Sequence, residues 1–184
     1  SKGTGCPHRS LGEVVTCTEN PSKTRRVGTH CSARKPRITA WNIYGLTEEK
    51  LEANESFLRK STVIAITESW SRGNFAQDIF PGYKYFDFFR PHQHTNSVRG
   101  AGGIGIFIKE EFLEHITIYS NYKDIIVWVK FCKEFFGLSN DLLLGVVYCY
   151  PENSPCIIED MFAILFEQIS IIPSYFDKLM CGDL

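Results

Sequence analysis

Short apolar runs separated by polar loops make up most of the chain after residue 37. The run Val63–Thr67 is uninterrupted, which is typical of a strand that is buried on both faces of its sheet. Similar apolar or alternating stretches, bounded by Gly, Pro, Asn and Ser, predict seven further strands. These are Arg37–Asn42, Tyr83–Phe89, Gly103–Lys109, Ile116–Tyr119, Ile125–Phe131, Leu142–Tyr148 and Lys178–Cys181.

Two segments show the periodicity of amphipathic helices. The first begins after Thr47, a favoured N-cap residue, and runs to about Lys60; two glutamates at its start suit the positive end of the helix. The second covers Ile157–Ser170, and its apolar residues form one stripe. That stripe contains Ile158, Met161, Phe162, Leu165 and Ile169. Many strands with few helices predict a mixed α/β sandwich.

The beginning of the chain differs from the rest in composition and charge. Residues 1–37 carry eight basic and two acidic side chains, whereas the remainder carries 12 basic and 19 acidic ones. The stretch is also rich in Ser, Thr, Gly and Pro, so we expect residues 1–36 to form an arm and residues 37–184 a domain. A solvated linker is the first interpretation of this arm, and contact with a nucleic acid or another acidic surface is the alternative.

The seven cysteines of the chain follow no framework spacing. An odd, scattered set favours a reducing intracellular compartment, nuclear or cytoplasmic. Cysteines and histidines within the arm lack the paired Cys-x-x-Cys of known zinc sites, so free thiols are the favoured interpretation. Every long apolar stretch contains charged residues or proline, and no signal-peptide core precedes residue 37, so we expect no membrane association.

Polar residues that end or follow apolar strand candidates are the ones that suggest chemistry. There are four of them: Asn42, Glu68, Tyr148 and Asp183. A strand that stops at a carboxylate or an amide holds that group at the rim of a sheet. Rigid oxygen ligands from separate strands suit Mg²⁺, which binds few carboxylates and keeps several waters. We therefore predict a site where Asn42 and Glu68 lie close together, and where Asp183 joins them if the last strand pairs beside the first.

Five motifs, in order along the chain, resemble those of the endonuclease/exonuclease/phosphatase superfamily. They are Trp41–Leu46, Ile66–Trp70, the glycine-rich Arg99–Ile108, Val146–Pro155 and Cys181–Leu184. Thr-Glu-Ser-Trp and Tyr-x-x-Pro-Glu-Asn-Ser-Pro are most similar to endonuclease domains of non-LTR retrotransposon polyproteins, which also carry reverse transcriptase. This resemblance covers residues 37–184 and implies a partial four-layer α/β sandwich with mixed sheets and flanking helices.

The resemblance also implies roles for the strand-end residues in a hydrolase that cleaves phosphodiester bonds. Glu68 would be the principal ligand of Mg²⁺ or Mn²⁺, with Asn42 beside it. Tyr148 would contact the scissile phosphate, and Asp183 would orient or deprotonate the attacking water. The implied partner is DNA.

Two further residues are candidates for nucleic-acid binding by the same resemblance. Arg99 and the glycines after it would lie near the nucleic-acid backbone, with close packing between the sheets as the equal alternative for the glycines. Tyr44 stands where many relatives have an acidic or amide residue, which is a departure from their pattern. The Asn that follows Gly-Asp-x in relatives and their terminal Ser-Asp-His motif are also absent from the sequence. We therefore expect an incomplete domain with at most weak, Mg²⁺-dependent nicking of DNA.

Other functions stay open at the level of the sequence. One is a non-catalytic binding or structural protein built on a decayed or domesticated half-domain, and another is a phosphatase acting on a small phosphorylated ligand. Half of a sandwich is also expected to leave one sheet face uncovered. Tyr83–Phe89 and Ile125–Phe131 are the candidates for that face, which self-association, a partner protein or the arm would cover.

Overall fold

The computed structural model describes residues 35–90, 100–150 and 160–183. The first half contains β1 (Ile38–Asn42), α1 (Glu48–Ala53), α2 (Glu55–Leu58), β2 (Val63–Thr67), β3 (Tyr83–Phe88) and β4 (Ile104–Lys109). A 3₁₀ turn at Glu110–Phe112 leads into the second half. That half contains β5 (Ile116–Tyr122), β6 (Ile126–Phe131), α3 (Lys133–Phe136), β7 (Leu142–Tyr148), α4 (Met161–Ile171) and β8 (Asp177–Asp183).

The strands form two mixed sheets of four strands each. Sheet A has the order β1-β2-β4-β3, in which only β1 and β2 run parallel. Sheet B has the order β5-β6-β7-β8, in which only β7 and β8 run parallel. Parallel pairing places Asn42 opposite Thr67 in sheet A, and Tyr148 opposite Asp183 in sheet B. Each sheet thus has one edge where the carboxyl ends of two strands meet.

Alternation along β2 shows how sheet A is covered on both faces. Val63 and Ala65 belong to the core that sheet A shares with β6 and β7 of sheet B. Ile64 and Ile66 point the other way and pack with α1 and α2. All five residues of β2 are buried, as the uninterrupted apolar run predicts.

Sheet B is covered in the same manner by the inner core on one face and by α4 on the other. Trp128 and Val147 pack with Ile164 and Leu165 of α4. The layers therefore run helix, sheet, sheet, helix, which confirms the predicted four-layer α/β sandwich. None of the helices in the described ranges has the length and apolarity needed to cross a membrane.

The strands expected to offer an uncovered sheet face are covered instead, β6 almost completely and β3 partly, with aromatic residues of β3 packed against both cores. In β6 all residues but Lys130 are buried, and the tyrosines of β3, Tyr83 and Tyr85, are also buried. The prediction of a bare face at these strands is wrong, because four strands per sheet suffice for the two inner faces to cover one another. The expectation of self-association or a partner at that face loses its physical basis.

The helix predicted to run from Thr47 to about Lys60 is divided into α1 and α2. Thr47 does cap α1, because its hydroxyl accepts a 3.3 Å hydrogen bond from the Lys50 amide. The division falls at Asn54, whose side chain donates to the Lys50 carbonyl at 2.9 Å. Asparagine competes in this way for backbone groups and is a poor residue for a helix interior.

Helix α4 begins later than predicted, but most of its predicted apolar stripe does face the core, because Met161, Leu165 and Ile169 pack in the cluster against sheet B. Asp160 caps it by accepting hydrogen bonds from the next turn, at 3.0 Å from Phe162 N and 3.2 Å from Ala163 N. The buried residues are Ile164 and Leu165, whereas Phe162 is 63% exposed. Assigning Phe162 to the buried stripe is therefore wrong. The predicted start, residues 157–159, lies outside the described residues.

Candidate active site at the carboxyl ends of two parallel strand pairs

One hydrogen bond joins the edge strands of the two sheets. Asn42 Nδ2, at the end of β1, donates to Asp183 Oδ2, at the end of β8, over 2.7 Å. The two residues are 141 positions apart in sequence. The sequence predicts the approach of Asp183 only if the last strand pairs beside the first, and it occurs although β8 pairs with β7 in the other sheet. The Asp183 carboxylate therefore contacts Asn42 from the other sheet.

The Asn42 amide is held at both of its ends. Its Oδ1 accepts a 3.3 Å hydrogen bond from Tyr44 N, while its Nδ2 bonds to Asp183. The side chain is nonetheless exposed to solvent. This arrangement presents a fixed, accessible amide at the rim of sheet A, as the position of Asn42 after an apolar strand predicts.

Glu68 follows β2 directly and has a strained backbone. Its φ angle is 54°, in the left-handed region that few residues other than glycine adopt. The Glu68 carbonyl accepts a 2.8 Å hydrogen bond from Gly45 N, and the next amide, Ser69 N, donates to the Gly103 carbonyl at 3.3 Å. The two neighbouring segments therefore hold the strained residue in place. Strain of this kind concentrates at functional sites.

Two other strained residues stand in the same loops. Within the described ranges, the non-glycine residues with positive φ are Tyr44, Glu68, Trp70 and Lys123. Tyr44 and Trp70 contact each other, with ring centroids 4.4 Å apart and planes inclined by 60°. Three of these four residues thus surround one end of the sandwich, which sets the two loops apart from the other connections.

Tyr148, at the end of β7, is the buried member of the site and is only 5% exposed. Burial raises the pKa of its phenol to about 12, and the nearby Glu68 carboxylate adds to this, while Arg90 opposes it. The Asp183 carboxylate also acts in the raising direction on this pKa. Tyr148 therefore stays protonated at neutral pH and can serve only as a hydrogen-bond donor or neutral acceptor.

A buried ionic network lies behind Tyr148. Arg90 Nε donates to Asp124 Oδ2 at 3.0 Å, and the Tyr150 hydroxyl donates to Asp124 Oδ1 at 2.8 Å. The Arg90 guanidinium carbon lies 4.1 Å from the centroid of the Tyr150 ring. Tyr150 in turn packs edge-on against Tyr148, with centroids 5.7 Å apart. The network thus supports the ring of the candidate site residue.

Gly102, from the glycine-rich segment, lies against the same group. Its φ is +65°, and a Cβ there would lie 2.9 Å from Tyr148 Cε1 and 3.0 Å from Arg90 Nη2. Only glycine allows this approach without displacement. Close packing thus accounts for this glycine, while Arg99, which begins the motif, lies outside the described residues.

Sequence reasoning missed the ionic network behind Tyr148. Arg90 and Asp124 lie next to apolar strands but belong to none of the five motifs, and they are 34 positions apart. The one available signal was a single charged residue bordering each strand. That signal is weak, because charged residues at strand ends are usually solvated.

The donor set at the rim suits a hard divalent cation. Glu68 offers a carboxylate oxygen and Asn42 an amide oxygen, and the Asp183 carboxylate beside Asn42 is free of any ligand role in this set. A close group of three thiol and carboxylate side chains also occurs among the described residues, but it is separate from the candidate active site. It consists of Cys132, Glu134 and Asp141. One or two carboxylates with room for water and phosphate are what Mg²⁺ accepts. The residues present therefore fit Mg²⁺ or Mn²⁺.

Solved structures share this architecture at low sequence identity. The AP endonuclease LMAP from Leishmania major superposes with a TM-score of 0.60 and 15% identity, over 83% of this chain and 56% of that protein. The human Nocturnin catalytic domain with bound sulfate gives a TM-score of 0.53 and 15% identity, over 80% of this chain and 63% of that one. The chain therefore shares the fold of these two proteins.

These likenesses establish the fold alone. The chain spans less than two thirds of the length of either protein. No protein-family profile matches the chain, and no curated protein sequence is significantly similar to it. The reaction and its substrate must therefore be argued from the site itself.

Proposed function

We propose that this chain is a metal-dependent phosphodiesterase domain that cleaves nucleic acid. The observation that carries the proposal is the Asn42–Asp183 hydrogen bond of 2.7 Å, which unites the strand ends of both sheets. It brings an amide and a carboxylate together beside Glu68 and the protonated Tyr148. One fold neighbour is an AP endonuclease, which supports the same class of reaction.

The proposed roles follow from the chemistry of each group. Glu68 and Asn42 hold Mg²⁺ or Mn²⁺, which when bound neutralises phosphate charge and assists departure of the leaving oxygen. Tyr148 donates a hydrogen bond to the phosphate, where charge develops in the transition state. Asp183 accepts the proton of the attacking water, and the hydrogen bond from Asn42 fixes the orientation of its carboxylate.

DNA is the substrate that we propose, on the basis of sequence. The motifs Thr-Glu-Ser-Trp and Tyr-x-x-Pro-Glu-Asn-Ser-Pro are most similar to those of retroelement endonucleases. An origin in a retrotransposon rests on these motifs alone. The exposed ring of Tyr44 beside Asn42 adds an aromatic surface that suits a nucleic acid.

A plasmid-nicking assay tests this proposal. Supercoiled DNA is incubated with the purified chain in Mg²⁺, in Mn²⁺ and in EDTA. The variants are Glu68→Gln, Asp183→Asn and, as a matched control, Glu167→Gln, which alters an exposed carboxylate on α4 outside sheet B. We expect weak metal-dependent nicking that falls about 10²- to 10³-fold in the first two variants and is unchanged in the control.

Three results would contradict the proposal. Nicking that survives both site substitutions would show that a contaminant or another part of the chain is responsible. Hydrolysis of a small phosphomonoester in place of DNA would favour the phosphatase interpretation. DNA binding without any metal-dependent cleavage would favour a binding protein built on this fold.

A further inference from the structure

A groove of about 400 Å³ adjoins the candidate active site, and none of its lining residues holds the metal, the attacking water or the scissile phosphate in the roles proposed above. The loops that follow β1 and β2 form its walls. Its lining combines three aromatic rings, two cationic side chains and an amide: Tyr44, Trp70, Phe75, Lys50, Arg72 and Asn74. Aromatic faces beside positive charge are the features with which proteins bind unpaired nucleotides.

Tyr44 offers the largest accessible aromatic surface in this groove. It is 62% exposed, although its ring packs at a tilt on Trp70. Its φ of 52° places the residue in a strained conformation, so the loop holds it there against its intrinsic preference. An exposed aromatic ring on a strained residue is unfavourable for stability alone, which points to a binding role.

The loop that carries Tyr44 is held by several hydrogen bonds from one side chain. Lys50 Nζ donates hydrogen bonds to three successive carbonyls, those of Ile43 at 2.9 Å, Tyr44 at 2.7 Å and Gly45 at 2.8 Å. Gly45, with φ +90°, lies so close to Trp70 that a Cβ would be 2.5 Å from the indole ring. A platform that is already ordered loses little conformational entropy when a ligand binds to it.

Two hydrogen bonds connect residues of the groove wall to residues of the candidate active site. Tyr44 N donates to Asn42 Oδ1 at 3.3 Å, and Gly45 N donates to the Glu68 carbonyl at 2.8 Å. A strand whose phosphate lies at Asn42 and Glu68 therefore has a neighbouring nucleotide within reach of the Tyr44 ring. Arg72 also lines the groove, and its positive charge suits an adjoining phosphate.

We propose that this groove binds one unpaired nucleobase, stacked on Tyr44, next to the phosphate at the candidate active site. The identity of the ligand rests on the proposed function. The lining favours stacking over base-edge recognition, so binding is expected to tolerate any base. It also requires an unpaired base, because a base within a duplex already stacks on its neighbours.

Fluorescence anisotropy in EDTA tests the proposal without cleavage. Three labelled probes are compared: a single-stranded oligonucleotide, the same strand with abasic residues, and its duplex. Stacking contributes about 1–3 kcal/mol per base, so Tyr44→Ala is expected to weaken single-strand binding about 5- to 150-fold. Tyr44→Phe should retain most of the affinity. Tyr119→Ala, at another exposed tyrosine on β5, is the matched control and should bind like the wild type.

The abasic probe decides between stacking and general attraction. Its affinity should be low in the wild type and unchanged by Tyr44→Ala. Equal weakening of the normal and abasic probes, no weakening of either, or no binding of any probe would overturn the proposal. Base-dependent binding without Glu68-dependent nicking would leave the groove as proposed and refute the catalytic function, whereas nicking without base-dependent binding would do the reverse.

Discussion

The ionic network behind Tyr148 allows a quantitative test of what supports the site. The side chains of Arg90 and Asp124 are 10% and 4% exposed, and their ion pair measures 3.0 Å. Asp124→Asn removes the negative charge and leaves the guanidinium buried beside a neutral amide. Removing one partner of a buried pair costs about 3–5 kcal/mol, because the remaining charge stays away from water. We expect a loss of that size in the free energy of unfolding.

A second ion pair supplies the matched control. Arg59 and Glu55 are closer, at 2.6 Å, but their side chains are 44% and 48% exposed, one helical turn apart. Exposed pairs of this kind contribute about 0.3–0.5 kcal/mol, because water and side-chain entropy offset the attraction. Glu55→Gln should therefore change the stability roughly tenfold less than Asp124→Asn, despite the shorter distance. Burial, not separation, determines the difference.

Urea denaturation, followed by tryptophan fluorescence, measures both variants. The denaturation midpoint should fall far more for Asp124→Asn, with the slope unchanged if unfolding stays two-state. A loss within about 0.5 kcal/mol of the Glu55→Gln value would refute the reasoning. The double variant Arg90→Gln/Asp124→Asn provides a further check, since it should be less unstable than the sum of the single variants.

Two other predictions follow from residues around Tyr148. In thermal unfolding, Gly102→Ala should lower the stability more than Gly82→Ala. Both glycines have a positive φ, +65° and +82° respectively. Of the two, only Gly102 has a neighbouring side chain within 3.0 Å of the added Cβ, so only its substitution also causes a clash. Equal losses would show that backbone strain alone governs both sites. The pKa of Tyr148 is raised to about 12, so the stability it confers is complete below pH 10 and is lost as the pH rises towards 12. Tyr148→Phe should abolish that part of the decline, and a Tyr148 phenolate absorbance that appears at pH 10 would contradict the assignment.

Much of the fold could be predicted from local pattern because each sheet is buried on both faces. Strands β2 and β7 have the predicted bounds, Val63–Thr67 and Leu142–Tyr148. Exposing part of an apolar run to water is unfavourable, so the run is buried as one strand. The helical segments were less predictable. One residue, Asn54, divides the first predicted helix into two. Periodicity places Phe162 on the apolar stripe of α4, but only the packing against sheet B shows which residues of that stripe are buried.

In the candidate site, too, some contacts follow from local sequence pattern and others depend on distant parts of the chain. Asn42 and Glu68 were predicted to lie together, because the ends of parallel strands meet at one edge of a sheet. The approach of Asp183 depends on how two separate sheets are stacked, and no local pattern encodes that contact across 141 positions. The Arg90–Asp124 pair is equally nonlocal, so only the folded structure reveals what supports Tyr148.

No single sheet contains the candidate site, and this links its geometry to the core. Asn42 ends a strand of sheet A and Glu68 follows the neighbouring one, while Tyr148 and Asp183 end strands of sheet B. Apolar side chains from both sheets form the one core that fixes the distance between them. Close-packed protein interiors do not deform continuously. A displacement of about 1 Å is enough to misplace a reacting group. The inter-sheet core therefore does more than stabilise the fold, because it also sets the position of each half of the site relative to the other.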